Sequence, residues 1–410
     1  MDMNEEITIN VIGLGYIGLP TALMLAANGN RVVGTDCNTA LIFELDKGIL
    51  RFSENGLDEI YKAAREQGVR FSKEYQKAAI YIVAVPSPYN KKTRKIDVQY
   101  IENAVDSILK IAPHGAVVVI ESTISPGTIH RYIMPMMEKY QRKDIRLAHA
   151  PERIIPGNMI YELAYNSRTI GADDKETAEK VREVYKTFCQ GEILLTDIKT
   201  AEMTKVVENT FRDINIAFAN ELCKICREAD VDVYEVIRLA NRHPRVSILS
   251  PGPGVGGHCI AVDPWFLVGD YPGLANIILA ARKINDSMPD FVLGRLAEIM
   301  DKNGIKDVSR VGLYGLTYKE NVNDVRESPT LQMLESMHNH IAYGVQVYDP
   351  FVKEKIVENQ HFDFADFIHR IDLIVIMVAH DEIKSKTNML DDKIVFDTRN
   401  CVTTKKIYYL

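Results

Sequence analysis

Residues 250–265 read SPGPGVGGHCIAVDPW, a run of glycines and prolines around one cysteine, Cys259, with His258 beside it and Asp263 four residues on. So open a stretch packs poorly, and its use lies in what the backbone lets the thiol do. A cysteine attacks carbonyl carbon as the thiolate, and the amides of a glycine-rich segment can stabilise that anion. His258 is expected to be a loop residue whose side chain points away from its neighbour's, which leaves Asp263 as the better partner. Upstream, Lys205, Asn209, Arg212 and Asp213 fall at i, i+4, i+7 and i+8 of a helical stretch and share one face. Such a stripe is most often simply solvated. Followed by a cysteine loop, it supplies an ammonium for an oxyanion, an amide to donate a hydrogen bond and a carboxylate to handle protons. Beside a nicotinamide, these groups suit oxidation of an alcohol to an aldehyde, capture as a thiohemiacetal, oxidation to a thioester and release of an acid.

The nicotinamide has its own signal. VIGLGYIGLP places Gly13, Gly15 and Gly18 directly after a strand-like run and at the opening of a helix, where Pro20 fits the first turn. The following helix offers amides and its dipole to a pyrophosphate. Asp36, at the end of RVVGTD, can accept hydrogen bonds from ribose hydroxyls and would repel a 2′-phosphate, so NAD is favoured over NADP. Ser87 in AVPSP and Thr123 in ESTISPGT end later strands on the side where ligands bind such sheets, although both could be ordinary turn residues. GLYGL in the second half lacks the third glycine, so a nucleotide bound differently remains open there.

These groups need a scaffold, and the hydrophobic pattern provides one. Strand-like runs at 7–13, 31–36, 79–85, 116–122, 145–151 and 168–172 alternate with amphipathic segments, as in a parallel sheet covered on both faces. From 198 to 240 one helical stretch runs without Gly or Pro, and a second helix-rich piece comes after the cysteine loop. Strand-like runs return at 310–316, 345–350, 373–378 and 393–399, where RVGLYGLTYK and VQVYDP echo INVIGLGYIG and RVVGTDCN. The expected architecture is α/β: two Rossmann-like, doubly wound parallel-sheet domains (1–197 and 305–410) joined by a helical central domain (198–304) with one long helix. A helix of about 40 residues would span ~60 Å, too long for one subunit's core, so a dimer is expected.

The net charge of −7, with no dense Lys/Arg block, argues against nucleic acid. The acidic start MDMNEEITIN is not expected to act as a signal peptide, and no apolar run is long enough to span a bilayer. Six cysteines in 410 residues show no disulfide framework, pointing to a reduced, cytoplasmic protein. Cys223 and Cys226 continue an apolar helix face and are expected to pack, since structural zinc normally takes four ligands; no metal is expected.

VIGLGYIGLP, ESTISPGT, PERIIPG, AEMTKVVENTFRDINIAFANEL, NRHPRVSILSPGPGVGGHCIAVDPWF and YKENVNDVRESP together resemble the UDP-glucose/GDP-mannose dehydrogenase family from residue 11 to about 330, more loosely beyond. The resemblance implies four-electron oxidation of a sugar nucleotide at C6, with two NAD per turnover. It implies Cys259 as nucleophile, Lys205 as oxyanion or acid/base partner beside Asn209, and Asp263 as the acidic residue after the cysteine. Glu152 would manage the hydrolytic water, with Thr123 assisting. For NAD the matching positions are Tyr16, Ile17, Asp36, Ser87, Thr123 and Arg326, beside Gly13, Gly15 and Gly18; many members carry Thr where Ser87 stands. For the sugar nucleotide they are Arg153, Ile154, Lys205, Asn209, Arg212, His243, Arg245, Gly256, Tyr318, Lys319 and Arg399, the last where many members have Lys.

The NRHPRV-to-DPWF string is similar to the branch acting on UDP-N-acetylhexosamines. It implies UDP-N-acetyl-D-mannosamine as substrate and its uronate, a glycan precursor, as product, with UDP-N-acetylglucosamine as the alternative. Family members are dimers through the central helix, and a loop of one chain, here with His243 and Arg245, completes the partner's sugar site. A hydroxyacid dehydrogenase of the same fold would have no cysteine loop. A non-catalytic dinucleotide-binding protein would leave Lys205, Asn209, Cys259 and Asp263 without use.

Overall fold

The computed structural model describes residues 8–154, 157–339 and 344–410; the acidic start and Ile155–Pro156 of the PERIIPG string lie outside the described residues. The chain divides into two compact units, Met1–Glu208 and Asn209–Leu410.

In the first unit, β-branched runs with no polar interruption form strands buried on both faces, such as IYIV and VVVI. The strands are β1 (Thr8–Ile12), β2 (Arg31–Thr35), β3 (Arg70–Ser72), β4 (Ile80–Val83), β5 (Val117–Ile120), β6 (Arg146–His149), β7 (Arg168–Ala172) and β8 (Ile193–Thr196). They make one sheet in the order β3-β2-β1-β4-β5-β6-β7-β8. β1 pairs in parallel with both β2 and β4, which puts the switch of winding direction at β1/β4. β7 is antiparallel to β6 and parallel to β8, so the last two strands run opposite to the first six. Ile9, Val11, Leu23, Ile82 and Val119 belong to its buried core.

The second unit carries a smaller sheet of β9 (Val311–Tyr314), β10 (Gln346–Tyr348), β11 (Gln360–His361), β12 (Leu373–Ile376), β13 (Ile394–Asp397) and β14 (Ile407–Tyr409). Its order is β11-β10-β9-β12-β13-β14, with every pair parallel. β3, β11 and β14, three residues or fewer, went unread in the sequence because a strand that short shows no alternation.

The long helix runs Ile198–Glu228, 31 residues. Asp197 caps it, its carboxylate accepting from the Thr200 amide at 3.0 Å and the Thr200 hydroxyl at 2.6 Å. It does not continue to 240. Asp230 adopts φ 56°, and the Asp232 carboxylate accepts from the Tyr234 amide at 2.8 Å to start a new helix, Val233–Ala240. Aspartates compete with the helical backbone in this way, so the expected single helix is two. Cys223 and Cys226 are buried in the second unit's core, and burial pushes the Cys223 thiol up to about 11. Among the described residues no helix is long and apolar enough to cross a membrane. Nor does any cluster of three or more His, Cys, Asp and Glu there suit a metal ion.

Candidate active site

In the first unit, Gly13 turns at φ 88° at the end of β1, donating its amide to the Thr35 carbonyl at 2.8 Å. A Cβ on Gly13 would lie 2.7 Å from the Ala84 carbonyl oxygen, and one on Gly18 would lie 1.9 Å from that of Gly13; one on Gly15 would meet nothing within 4 Å. The turn is thus closed against the protein at two glycines and open at the third. Ile17 leads into the helix Gly18–Ala27, whose first turn holds no carboxylate. The Asp36 carboxylate accepts the Leu14 and Asn38 amides, both at 2.8 Å, while remaining half-buried. Ser87 and Thr123, also half-buried, follow β4 and β5, and the Ser122 hydroxyl ties the two loops by donating to the Val85 carbonyl at 2.6 Å.

Glu152 is buried. Its carboxylate pairs with Arg168 and accepts the Arg153 amide at 2.6 Å. Arg168 also bridges to the buried Glu121 at 3.1 Å, and burial pushes Glu121 upward against the pull of Arg168. The Arg153 guanidinium reaches Thr169 and Glu208 at 2.8 and 2.7 Å, so within this unit it is already engaged; Ile154 packs on the core. Lys205 is buried on the long helix.

In the second unit, one turn after Lys205 on that helix, Asn209 donates to the Asp263 carboxylate at 2.5 Å. The Asp263 amide donates to the Cys259 carbonyl at 2.8 Å, which starts the helix Asp263–Asp270. Cys259 Sγ stands 3.6 Å from His258 Nε2. His258 therefore does not point away from its neighbour: Gly257, at φ 80°, bends the backbone and turns the two side chains together. Arg212 is exposed, whereas Asp213 is buried against Arg282 at 2.5 Å and Asn285 at 2.7 Å. Asp213 is thus part of the scaffold. The relay continues from Asn285 to Asn220 at 2.9 Å and from Asn220 to the Gly252 amide at 2.9 Å, fixing the entry of the cysteine loop. His243 and Arg245 lie exposed on the loop before it.

A cleft opens at the carboxyl ends of β9, β12 and β13, lined by Gly254, Thr317, Tyr318, Lys319, Met377 and Arg399. Gly256 and Gly257 seat the cysteine loop against it: a Cβ on either would come within 2.8 Å of Tyr318. Burial pushes the Tyr318 hydroxyl up to about 12. Arg326 pairs with Asp324 at 2.6 Å, and its carbonyl accepts the Gly257 amide at 2.8 Å.

Compared with known proteins, residues 7–189 match the NAD binding domain of the UDP-glucose/GDP-mannose dehydrogenase family, 199–287 its central domain and 312–404 its UDP binding domain. The chain belongs to that family. It is 42% identical over 403 residues to a UDP-N-acetyl-D-mannosamine dehydrogenase of Methanocaldococcus jannaschii, covering 96% of this chain and 92% of that one. It is 39% identical over 415 residues to an NDP-N-acetyl-D-galactosaminuronic acid dehydrogenase of Ralstonia nicotianae, covering 98% and 97%. A solved UDP-D-ManNAc dehydrogenase from Pyrococcus horikoshii superposes with TM-score 0.91 at 36% identity, covering 98% and 99%.

The chain is thus an NAD-dependent UDP-sugar dehydrogenase, and its residues fit the cofactor. The bare turn at Gly15, the uncharged helix start behind it and the half-buried Asp36 suit a pyrophosphate and ribose hydroxyls. Sequence reasoning missed several supporting residues of this family member. Arg168 binds Glu152; Glu54 accepts the Tyr16 hydroxyl and, at 2.8 Å, the Gly157 amide; Asn220 holds Gly252. Only Arg168, a cation inside a strand-like run, carried a signal that could have been read.

Proposed function

We propose that the chain oxidises the C6 hydroxyl of UDP-N-acetyl-D-mannosamine to the carboxylate in two stages, through a thiohemiacetal and a thioester on Cys259. The observation that carries this is the bonded unit of Asn209, Asp263 and Cys259, which sets a helix amide and an acid around the thiol's own backbone at 2.5 and 2.8 Å. NAD, when bound, would supply the hydride acceptor for each of the two stages, two per uronate. Lys205 and Asn209, one turn apart on the long helix, serve the oxyanions, each such donor being worth about 3 kcal/mol of barrier. Glu152, held beside the cation of Arg168, takes the proton of the water that opens the thioester, with Thr123 assisting. Asp36, Tyr16, Ile17, Ser87 and Arg326 serve the cofactor. Arg153, Ile154, Arg212, Gly256, Tyr318, Lys319 and Arg399 serve the UDP-sugar, alongside the cleft of the second unit. By function the chain divides into a cofactor part (1–197), a catalytic and dimerising part (198–304) and a UDP-sugar part (305–410), working in the cytoplasm where the thiol stays reduced.

The partner we assign to the long helix is a second copy of the chain. Phe211, Phe218 and Ile225 recur every seven residues and are 66%, 52% and 58% exposed, an apolar seam of coiled-coil period. His243 and Arg245 would then reach the partner's sugar.

NADH counted against a panel of UDP-N-acetylhexosamines tests the proposal. Two NADH per uronate with the manno sugar is expected. One NADH with free aldehyde would overturn it, and full steady-state activity of Cys259→Ser would remove the nucleophile. The Ralstonia relative favours a second reading, a galacto-configured substrate, which the same panel separates from the manno and gluco sugars.

A further inference from the structure

The nucleophile proposed above needs a group to take its proton. At neutral pH a cysteine is mostly a thiol, and the thiolate is the attacking form. Asp263 is bound into the helix that it opens: its carboxylate receives Asn209 Nδ2 at 2.5 Å, and its amide is spent on the Cys259 carbonyl at 2.8 Å. Two further titratable groups near this cysteine, Tyr318 and Arg326, both feel its charge. Tyr318 is held as the neutral phenol by burial, and Arg326 remains a cation paired with Asp324. Neither accepts a proton near pH 7. His258 Nε2, 3.6 Å from Sγ, is an imidazole nitrogen, the one side-chain type that ordinarily gains and loses a proton between pH 5 and 8.

The contact is built into the backbone. Gly257 sits at φ 80°, where an added Cβ would also strike the Tyr318 ring at 2.8 Å, and its amide donates to the Arg326 carbonyl at 2.8 Å. Two residues later the Cys259 carbonyl accepts both the Val262 and Asp263 amides, at 3.1 and 2.8 Å. The His-Cys pair is therefore clamped on both sides, and the two side chains meet although they are adjacent in sequence. The imidazole is exposed, so it can exchange its proton with solvent between turnovers.

We propose that His258 is a catalytic residue, the base that takes the Cys259 thiol proton and returns it to the oxyanion formed when sulfur adds to the aldehyde. This rests on Cys259 being the nucleophile. In the step, the S–H bond breaks and the proton passes to Nε2. The sulfur lone pair forms the S–C6 bond as the carbonyl π pair moves onto oxygen. The imidazolium proton then goes to that oxygen, giving a neutral thiohemiacetal with no net change in charge or oxidation state.

The test is the pH dependence of Cys259 alkylation by iodoacetamide, read by peptide mass spectrometry in the full chain, for wild type, His258→Gln and His258→Asn. The wild-type rate is expected to reach half its plateau at least ~1 pH unit below the variants, because each has lost the base. Turnover of His258→Ala should fall by about 10²-fold or more with KM for the UDP-sugar nearly unchanged, and added free imidazole should restore part of it. Superimposable alkylation profiles in wild type and both variants, with no imidazole rescue, would overturn the assignment. NADH binding by each variant, followed by fluorescence, separates loss of the base from loss of the fold. If Cys259→Ala still formed the acid at the wild-type rate, the nucleophile itself would fall, an outcome independent of anything seen at His258.

Discussion

At the end of β1 the Gly13 amide donates to the Thr35 carbonyl at 2.8 Å and the Leu14 amide to the Asp36 carboxylate at 2.8 Å. At the end of β9 the Gly315 amide donates to the Tyr348 carbonyl at 2.8 Å and the Leu316 amide to the Asp349 carboxylate at 2.6 Å. Both glycines have positive φ, 88° and 99°, and both aspartates end the neighbouring strand. The two turns then part. In the first, the helix begins at Gly18, and Asp36 remains half-buried. In the second, the chain wanders to Pro329 before its helix begins. Asp349, 2% exposed, accepts the Leu316, Thr317 and Phe351 amides and faces His380 Nε2 at 3.2 Å. One turn thus leaves its acid partly accessible, and the other consumes the acid in holding itself together. A fold-level repeat transmits the turn; the segment beyond it decides how far the acid is buried.

The two turns are set apart most severely by putting a methyl group into each. Gly18→Ala must push a Cβ onto a carbonyl 1.9 Å away. It should weaken NADH binding by at least ~100-fold, or about 3 kcal/mol. Gly315→Ala, strained by φ 99° and by Val378 at 2.6 Å, should lower the urea midpoint and leave NADH affinity alone. If both variants lost NADH equally, the distinction between the turns would fail.

The acids give the next test. Asp36→Asn should weaken NADH about tenfold and narrow the preference over NADPH, since the carboxylate no longer repels a 2′-phosphate. Asp349→Ala should cost roughly 3 kcal/mol of stability by orphaning buried amides, with NADH binding intact. Calorimetry and denaturant melts read the two apart.

The last effect is a pH dependence confined to the first unit, smaller than the losses at Gly18 and Asp349. His149 donates Nδ1–H to the Ile120 carbonyl at 2.8 Å, and burial pushes its pKa down to about 4. Between about 4 and the ordinary 6.5, the unfolded chain binds a proton that the folded one refuses. Stability from this group therefore rises with pH through that window and is lost on acidification, on the order of 2 kcal/mol by pH 5. Glu121, pushed upward by burial, runs the opposite way, so the quantity to measure is the difference between wild type and His149→Gln. The variant should lose less stability from pH 7 to pH 5; parallel curves would refute the burial effect.

The sequence carried the strand cores, the NAD turn and the helical character of 198–240, because each depends on local periodicity or on what glycine and aspartate do to their own backbone. Even its error was local: Asp230 and Asp232, overlooked in an unbroken helical pattern, split the helix with their own side chains and dihedrals. The family strings likewise named Cys259, Asp263, Lys205 and Glu152. Only the tertiary structure supplied their supports. Arg168 reaches Glu121 and Glu152 across 47 and 16 residues, and Asn220 reaches Asn285 across 65. His258, unmarked by any local pattern, meets Cys259 because Gly257 bends and Arg326 and Asp263 clamp the loop. Hydrogen bonds between distant segments have no fixed spacing and so leave no periodic trace in the chain; they exist only once the sheets and helices have brought those segments together.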